Sequence, residues 1–168
     1  PFGNVQKAKK LLEELGAIEH GKITSHGMEL HKVPTHPRIA QMMVQAEQIG
    51  QLALATDIAP LLEEKDPFPP KSGIDINLRI EALRRFRKEG KGGKQFSRLE
   101  KLAEQYRKMF SIEPDNGVID DHDTGLLIAS AYPERIASSR PGNNPQFQRA
   151  NGKMAAAGHQ DDLAHEQW

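Results

Sequence analysis

The chain has 168 residues and a formal net charge of zero, with 23 lysines and arginines against 23 aspartates and glutamates, so a polycation that binds nucleic acid along its whole length is excluded. The absence of cysteine excludes disulfides and thiolate zinc sites and fits a cytoplasmic protein. No apolar run approaches the roughly 18 residues of a membrane-spanning helix, and no signal peptide opens the chain.

The two ends of the sequence resemble cut points within a longer protein. The chain begins at Pro1 without an initiator methionine and passes straight into a helical pattern. Its last residue, Trp168, follows a polar stretch that is typical of the approach to another element. We therefore expect further domains outside these 168 residues.

The first 33 residues are typical of a helix followed by a small β-hairpin. Apolar residues at helical spacing predict a helix over Val5–Leu15. His20-Gly21 then separates two short segments, 17–19 and 22–24, which predicts a tight two-residue turn because glycine readily adopts positive φ. A helix and a hairpin in this order predict that residues 1–33 are the C-terminal part of a winged-helix domain.

Residues 34–140 predict a helical bundle, so the fold class is mainly α. Pro60 lies inside one of its helical patterns and predicts a kink or a split there. Gly90–Lys94 predicts a flexible break between two others. The apolar stretch near the end of this region predicts a buried helix capped by Asp123 or Thr124. The five predicted helices cover 37–49, 51–64, 74–88, 96–110 and 124–132, and a further helical turn is predicted over 134–138.

The character of the chain changes after Pro141-Gly142. Asn151-Gly152 is a strong signal for a hairpin turn, and it lies between two segments of strand length, 146–150 and 153–157. Residues 141–168 are therefore predicted to be the start of a β-rich module, with a polar and loose end over 158–168.

The glycine-rich stretch Gly90–Lys94 invites comparison with a phosphate-binding loop. Such a loop needs serine or threonine after its lysine and a strand before it. Gln95 follows Lys94, and a helical pattern precedes the stretch. We therefore predict a linker and no ATP hydrolysis by this chain alone, and no Ser-His-Asp, Cys-His or paired-carboxylate pattern suggests another hydrolase.

Two clusters could suggest a metal. The four histidines His20, His26, His31 and His36 do not have the spacing of a zinc pair and lack cysteine partners. The acidic run Asp120–Asp123 precedes a helical pattern, where carboxylates cap the helix and complement its dipole. No catalytic or metal-binding residue is therefore predicted.

One stretch, residues 79–101, has nine cations against three carboxylates, an excess of six in a neutral chain. The stretch could be a solvated helix face and a linker. It could also be a surface that contacts phosphates with little sequence preference. Phe96 and Tyr106 fit the apolar helix stripe and are predicted to be core residues rather than stacking platforms. The candidate nucleic-acid-binding residues are Arg79, Arg84, Arg85, Arg87, Lys88, Lys91, Lys94 and Arg98.

A second functional interpretation is that apolar surfaces of the chain bind another protein. Met42-Met43 and Leu126–Ala131 could form surfaces that dock on another protein, although such residues are more often core. This interpretation predicts a large exposed apolar patch, whereas complete burial of these side chains would count against it.

Several stretches together resemble the region that follows the motor domains in HrpB-type helicases of the DEAH-box-like superfamily. The first set resembles the winged-helix end of these proteins and lies at Leu12–Ile18, Ile23-Thr24 and His26-Gly27. A second set resembles their helicase-associated segment and lies at Leu30, Val33-Pro34 and His36–Met43. A third set is more specifically HrpB-like and lies at Asp57–Pro67, Leu127–Ala137, Ala150–Gly152 and Asp161–Ala164.

The resemblance implies a winged-helix remnant over 1–33, a ratchet-like helical bundle over 34–140 and the start of a β-rich module over 141–168. It also implies a role as the accessory region of an ATP-dependent helicase, in which single-stranded nucleic acid, usually RNA, runs between this region and the motor domains. ATP and magnesium would bind in those motor domains, and their residues match nothing here.

Overall fold

The computed structural model describes residues 2–142 and 144–167, so Pro1, Asn143 and Trp168 lie outside the described residues. The prediction of a mainly helical chain is confirmed, and two small antiparallel sheets accompany the helices. The helices are α1 (Phe2–Glu14), α2 (Ser25–His31), α3 (Pro37–Gln48), α4 (Leu52–Glu63), α5 (Ile76–Glu89), α6 (Lys94–Phe110) and α7 (Asp121–Ala131). The strands are β1 (Ile18–Glu19), β2 (Lys22–Ile23), β3 (Ala137–Ser139), β4 (Gln146–Arg149) and β5 (Met154–Ala156).

The predicted N-terminal hairpin is confirmed. Strands β1 and β2 pair antiparallel, and the turn residues His20 and Gly21 both have positive φ, at 49° and 75°. Helix α2 then returns against the hairpin, with the Thr24 side chain accepting a hydrogen bond from the Gly27 amide at its N-terminus. A side chain at Gly27 would collide with the Ala17 carbonyl oxygen, so this close packing requires glycine.

The core lies where α3, α4 and α7 pack together. Helix α3 turns one face inward, because Ile39, Met42 and Met43 are all buried. The N-terminus of α3 is formed by a His36 side-chain cap and by Pro37, which suits the first helical turn. The alternative of a split at Pro60 is wrong, since α4 runs through Pro60 as one buried helix.

Helix α7 begins earlier than predicted. Asp120, rather than Asp123 or Thr124, is the N-cap residue, and its carboxylate accepts a hydrogen bond from the His122 amide at 2.8 Å. Asp121 and Asp123 then fall in the first turn, where negative charge complements the helix dipole. The acidic run before α7 therefore caps and stabilises this helix.

The predicted hairpin around Asn151-Gly152 is confirmed as β4 and β5. The predicted helical turn over 134–138 is wrong in its second half, because only Pro133–Arg135 forms a short 3₁₀ turn and β3 follows at once. Strand β3 pairs with β4, so this sheet includes residues that lie before the predicted module boundary at 141. The prediction of a loose end is also wrong for 158–167, because Asp162–His165 forms a 3₁₀ turn and the Ser139 amide donates to the Gln167 carbonyl.

Within the residues that the structure describes, no helix combines the length and the apolar character needed to cross a bilayer.

We predict opposite effects for alanine at two helical glycines. The Cβ atom of Gly27→Ala would fall 2.1 Å from the Ala17 carbonyl oxygen, so the substitution should lower the free energy of unfolding by about 1–3 kcal/mol. Gly125 in α7 has no atom within 4 Å of such a Cβ, and Gly125→Ala should raise stability by about 0.5–1 kcal/mol. Urea unfolding measures the free energy of unfolding of each variant. Equal midpoints for the two variants would contradict the assigned packing of α2.

Candidate nucleic-acid interface

The structure divides the eight predicted nucleic-acid-binding residues into two groups. Arg79, Arg84 and Arg87 expose only 7%, 6% and 11% of their side chains. Arg84 and Arg87 pair with the buried Asp57, and Arg79 pairs with the half-exposed Asp66. The other five side chains lie on exposed residues and are Arg85, Lys88, Lys91, Lys94 and Arg98. The basic stretch therefore has an inner side, which holds the bundle together, and an outer side, which faces solvent.

The inner side centres on Asp57, a carboxylate of α4 that is 1% exposed. Arg84 donates to Asp57 through Nε at 2.9 Å, and Arg87 donates through Nη2 at 2.5 Å. Both arginines belong to α5. A third guanidinium, that of Arg107 on α6, lies 3.7 Å from the same carboxylate. One buried side chain thus joins three helices.

Glu100 of α6 closes this network. Its carboxylate accepts hydrogen bonds from Arg87 at 2.9 Å and from Arg107 at 2.5 Å. Burial acts to lower the pKa of Arg87, but the hydrogen bonds to Glu100 and Asp57 outweigh it and raise the pKa above its ordinary value. Guanidiniums stay protonated in proteins, so the network is held by charge-assisted hydrogen bonds.

The network also holds the loop between α6 and α7, residues 111–120, which is called the acidic loop below. Arg84 donates to the Gly117 carbonyl at 2.9 Å, and Arg87 donates to the Asn116 side chain at 3.0 Å. Within the loop, the Asp115 carboxylate accepts from the Gly117 amide at 2.7 Å. Two arginines of α5 thus hold the loop in place through hydrogen bonds, although it has no regular secondary structure.

Asp57 was not recognised as a site residue from the sequence. Its signal is visible in retrospect, since it is the one charged residue between Leu52 and Leu62 in an otherwise apolar helix. A buried charge in such a position requires a partner of opposite sign. The nearby excess of arginines in α5 supplies these partners.

The outer side of the basic stretch surrounds the α5–α6 linker, Gly90–Gly93. Among the described residues, no carboxylate lies within ion-pair distance of Arg85, Lys88, Lys91 or Lys94. Arg98 pairs with Glu64 at 2.9 Å but keeps 71% of its side chain exposed. These positive charges, unlike those of the inner side, are available to a ligand.

Three aromatic rings form a cluster beside the linker, which Gly92 contacts through Phe86. Phe86 of α5 stacks on Phe96 of α6 with ring centroids 6.1 Å apart, and Phe96 meets Phe68 edge-on at 6.3 Å. Arg79 lies 4.8 Å above the Phe68 ring while it pairs with Asp66. The hydrogen bond from Arg79, which outweighs partial burial, lowers the pKa of Asp66. Phe96 thus packs against side chains of the bundle, in agreement with its predicted role.

Tyr106, also predicted as a core residue, is 8% exposed. Its hydroxyl donates to Glu63 at 2.8 Å and lies 2.8 Å from the Thr35 hydroxyl. Burial, with the Glu63 carboxylate nearby, raises the pKa of Tyr106 to about 12. The tyrosine is therefore a neutral link between α6, α4 and the start of α3.

An apolar cleft lies between α7 and the three-stranded sheet, with a volume of about 890 Å³. Leu126 and Ile136 line it and are 43% and 46% exposed. Arg135 lines the cleft as well and lies 4.3 Å from the Tyr132 ring centroid. Of the predicted docking surfaces, Met42-Met43 is fully buried, whereas the α7 stretch leaves part of its apolar surface open to this cleft.

No protein-family profile matches the sequence. Over its whole length the chain is 30% identical to the ATP-dependent RNA helicase HrpB of Escherichia coli K12, of which it covers 18%. Over 70 residues, or 38% of the chain, it is 37% identical to the ATP-dependent RNA helicase HrpA of the same organism, covering 5% of that protein. The chain therefore spans about a fifth of the length of the HrpB that it matches.

Solved structures agree with the sequence comparison. Two crystal structures of E. coli HrpB, one described as a DExH-box NTPase and one as a DEAH/RHA helicase, match the whole chain with a TM-score of 0.74 at 27% identity. In each case the match covers 19% of the HrpB chain. The backbone described above thus recurs within a much longer protein.

These matches show that the chain is similar, over its whole length, to a segment of DEAH-type helicases. Within that class it is homologous to the HrpB-type helicases, as the three sets of residues in the sequence predicted.

The network around Asp57 makes a prediction about stability. Asp57→Ala should lower the free energy of unfolding by about 3–5 kcal/mol, because it leaves buried guanidiniums without their carboxylate. Glu29→Ala breaks a pair with Lys32 in which the side chains are 55% and 67% exposed, and it should cost at most about 1 kcal/mol. Guanidinium chloride unfolding measures the free energy of unfolding of both variants. A loss for Asp57→Ala no larger than that for Glu29→Ala would show that the network contributes little.

Proposed function

We propose that this chain is the accessory region of an ATP-dependent RNA helicase, which helps to bind single-stranded RNA and couples it to the motor domains. The observation that carries the proposal is the match of the entire chain to part of a protein named an ATP-dependent RNA helicase. We assign residues 1–33 to the end of a winged-helix domain, 34–140 to a ratchet-like bundle and 141–168 to the start of a β-rich module. A cytoplasmic location completes the proposal.

The exposed cations around the linker supply the chemistry for RNA binding. Between residues 79 and 101, six exposed cations face only two exposed carboxylates, Glu81 and Glu89. Lysine and arginine side chains on such a surface displace counterions from phosphates, which gives salt-dependent binding without sequence preference. This suits a helicase, because its substrate must move past the surface whatever its sequence.

The N-terminus of α6 adds to this surface. Its N-cap is Gly93, which provides no side-chain hydrogen bond, and its first turn contains no acidic residue. Free backbone amides and the positive end of a 17-residue helix therefore accompany Lys91 and Lys94. A phosphate approaching the two lysines would meet the helix N-terminus from the same direction.

In the proposal, the ion-pair network around Asp57 couples the RNA-contacting side of α5 to the rest of the bundle. Arg84 and Arg87 lie on the same helix as Arg85 and Lys88 but point inward to Asp57. A force on the outer side of α5 is therefore passed to α4 and α6 through charged hydrogen bonds. In the proposal, Arg79, Arg84 and Arg87 position the surface, and the exposed five contact the RNA.

Hydrolysis of ATP belongs to the motor domains, which would supply the sites for ATP and Mg²⁺. The residues of this segment do not fit an ATP site, since Gly90–Lys94 joins two helices and Gln95 stands where a phosphate loop has a hydroxyl residue.

The proposal predicts that the chain binds a fluorescent single-stranded RNA with a log affinity that falls linearly with log salt. Replacing Arg85, Lys88, Lys91 and Lys94 by glutamine should reduce the slope by about 0.7 for each phosphate that is no longer neutralised. Fluorescence anisotropy across a salt series measures the slope.

A variant with the same change in charge is the control. Lys7, Lys9, Lys10 and Lys22 are exposed and lie outside the basic stretch, so their replacement by glutamine should leave most of the slope intact. Equal slopes for the wild type and the linker variant, or an equal fall for the control, would contradict the assigned surface.

The apolar cleft supports a second candidate function, in which the segment docks on the motor domains without touching RNA. Leu126 and Ile136 leave apolar area exposed that a partner surface could cover. The cleft and the basic surface involve different residues, so each function can be tested without disturbing the other.

For this second function, Leu126→Lys should weaken association with separately purified motor domains by about tenfold or more, because it places a charge in an apolar interface. Val5→Lys changes another exposed apolar residue, on α1, and serves as the control. Biolayer interferometry with the two variants measures the difference. Indistinguishable affinities would remove the cleft from consideration as the docking surface.

A further inference from the structure

The α5–α6 linker is held in place, although its composition predicts a flexible break. Gly90 ends α5 in the left-handed conformation, with φ of 67°, and its amide donates to the Phe86 carbonyl at 2.8 Å. Two residues later the backbone passes so close to Phe86 that a Cβ on Gly92 would lie 2.5 Å from the ring. Gly93 then adopts an extended conformation and starts α6. Gly90 and Gly92 therefore each occupy a position that favours glycine.

The surface on which the linker lies is also fixed. Phe86 stacks on Phe96, so the ring that Gly92 touches is supported from the other helix. Phe68, from the loop after α4, packs against Phe96. The linker thus contacts Phe86 at Gly92, and Phe86 is in turn part of a cluster of three rings from three separate parts of the chain.

We propose that Gly92 and Phe86 are positioning residues for RNA binding, which hold the linker so that Lys91 and Lys94 meet phosphates together. This inference rests on the proposed function and adds to it. Binding with a preformed surface avoids the entropy cost of ordering a loop, which a tetrapeptide rich in glycine would otherwise incur. Neither residue carries charge, so their effect on RNA is exerted through the two lysines.

The test is a double-mutant cycle on the intact chain with single-stranded RNA, read as the slope of log affinity against log salt. Lys91→Gln with Lys94→Gln should reduce the slope by about 1.4, the value expected when two phosphates are no longer neutralised. Gly92→Ala, which removes no charge, should reduce the slope toward the same value. In the background without the two lysines, Gly92→Ala should have no further effect on the slope.

Gly125→Ala is the matched control. Gly125 lies in α7, outside the basic stretch, and has open space around a Cβ. It should leave the slope at the wild-type value. A second variant, Phe86→Leu, removes the supporting ring and should act like Gly92→Ala, so the test still holds if one variant fails to fold. Circular dichroism and the urea midpoint report whether each variant is folded.

A purely structural role for Gly92 would move the urea midpoint and leave the salt slope unchanged, and that result would overturn the inference. The same is true if Gly92→Ala and Gly125→Ala give equal slopes while removal of the two lysines lowers the slope, which would leave the proposed function standing. If the wild-type chain does not bind RNA at any salt concentration, the proposed function and this inference both fall.

Discussion

The carboxylate of Asp57 is the group on which the arrangement of the bundle depends. It lies in the middle of an apolar helix and accepts hydrogen bonds from two guanidiniums of α5, with a third guanidinium from α6 close by. A buried carboxylate without such partners costs several kcal/mol, so the three helices are stable only in the arrangement that brings their charges together. The same arginines fix the acidic loop before α7, and the orientation of α5 decides which cations face solvent.

Much of the helical part could be predicted from the sequence, because α3, α4, α5 and α6 have clear apolar periods and end at glycines or caps. Their boundaries differ from the predicted ones by only a few residues. Strand β3 and the ordered tail could not be predicted in this way. Their order depends on bonds to distant residues, such as Ser139 with Gln167 and Ile74 with Asp161, which no local pattern reveals.

The basic stretch illustrates what a charge count can and cannot predict. The sequence shows nine cations within residues 79–101. It does not show which of them are buried, because that depends on the carboxylates that α4 and α6 provide. The chemistry of the side chains agrees with this division. The residues that turn inward are all arginines, whose planar fork satisfies several acceptors at once, while every lysine of the stretch faces outward. The assignment of the outer residues to RNA stays a prediction.

The basic surface has a consequence for how the molecule approaches a charged ligand. Because the whole chain is neutral, the 145 residues outside the basic stretch carry fourteen cations against twenty carboxylates. Part of that negative excess, including Asp57 and Asp66, lies against the inward arginines, but six exposed cations still face only two exposed carboxylates on the outer side of the stretch. If this side contacts a polyanion as proposed, the local positive charge would orient the molecule during encounter and raise the association rate at low ionic strength. Neutral overall charge is thus compatible with electrostatic steering by one side of the chain.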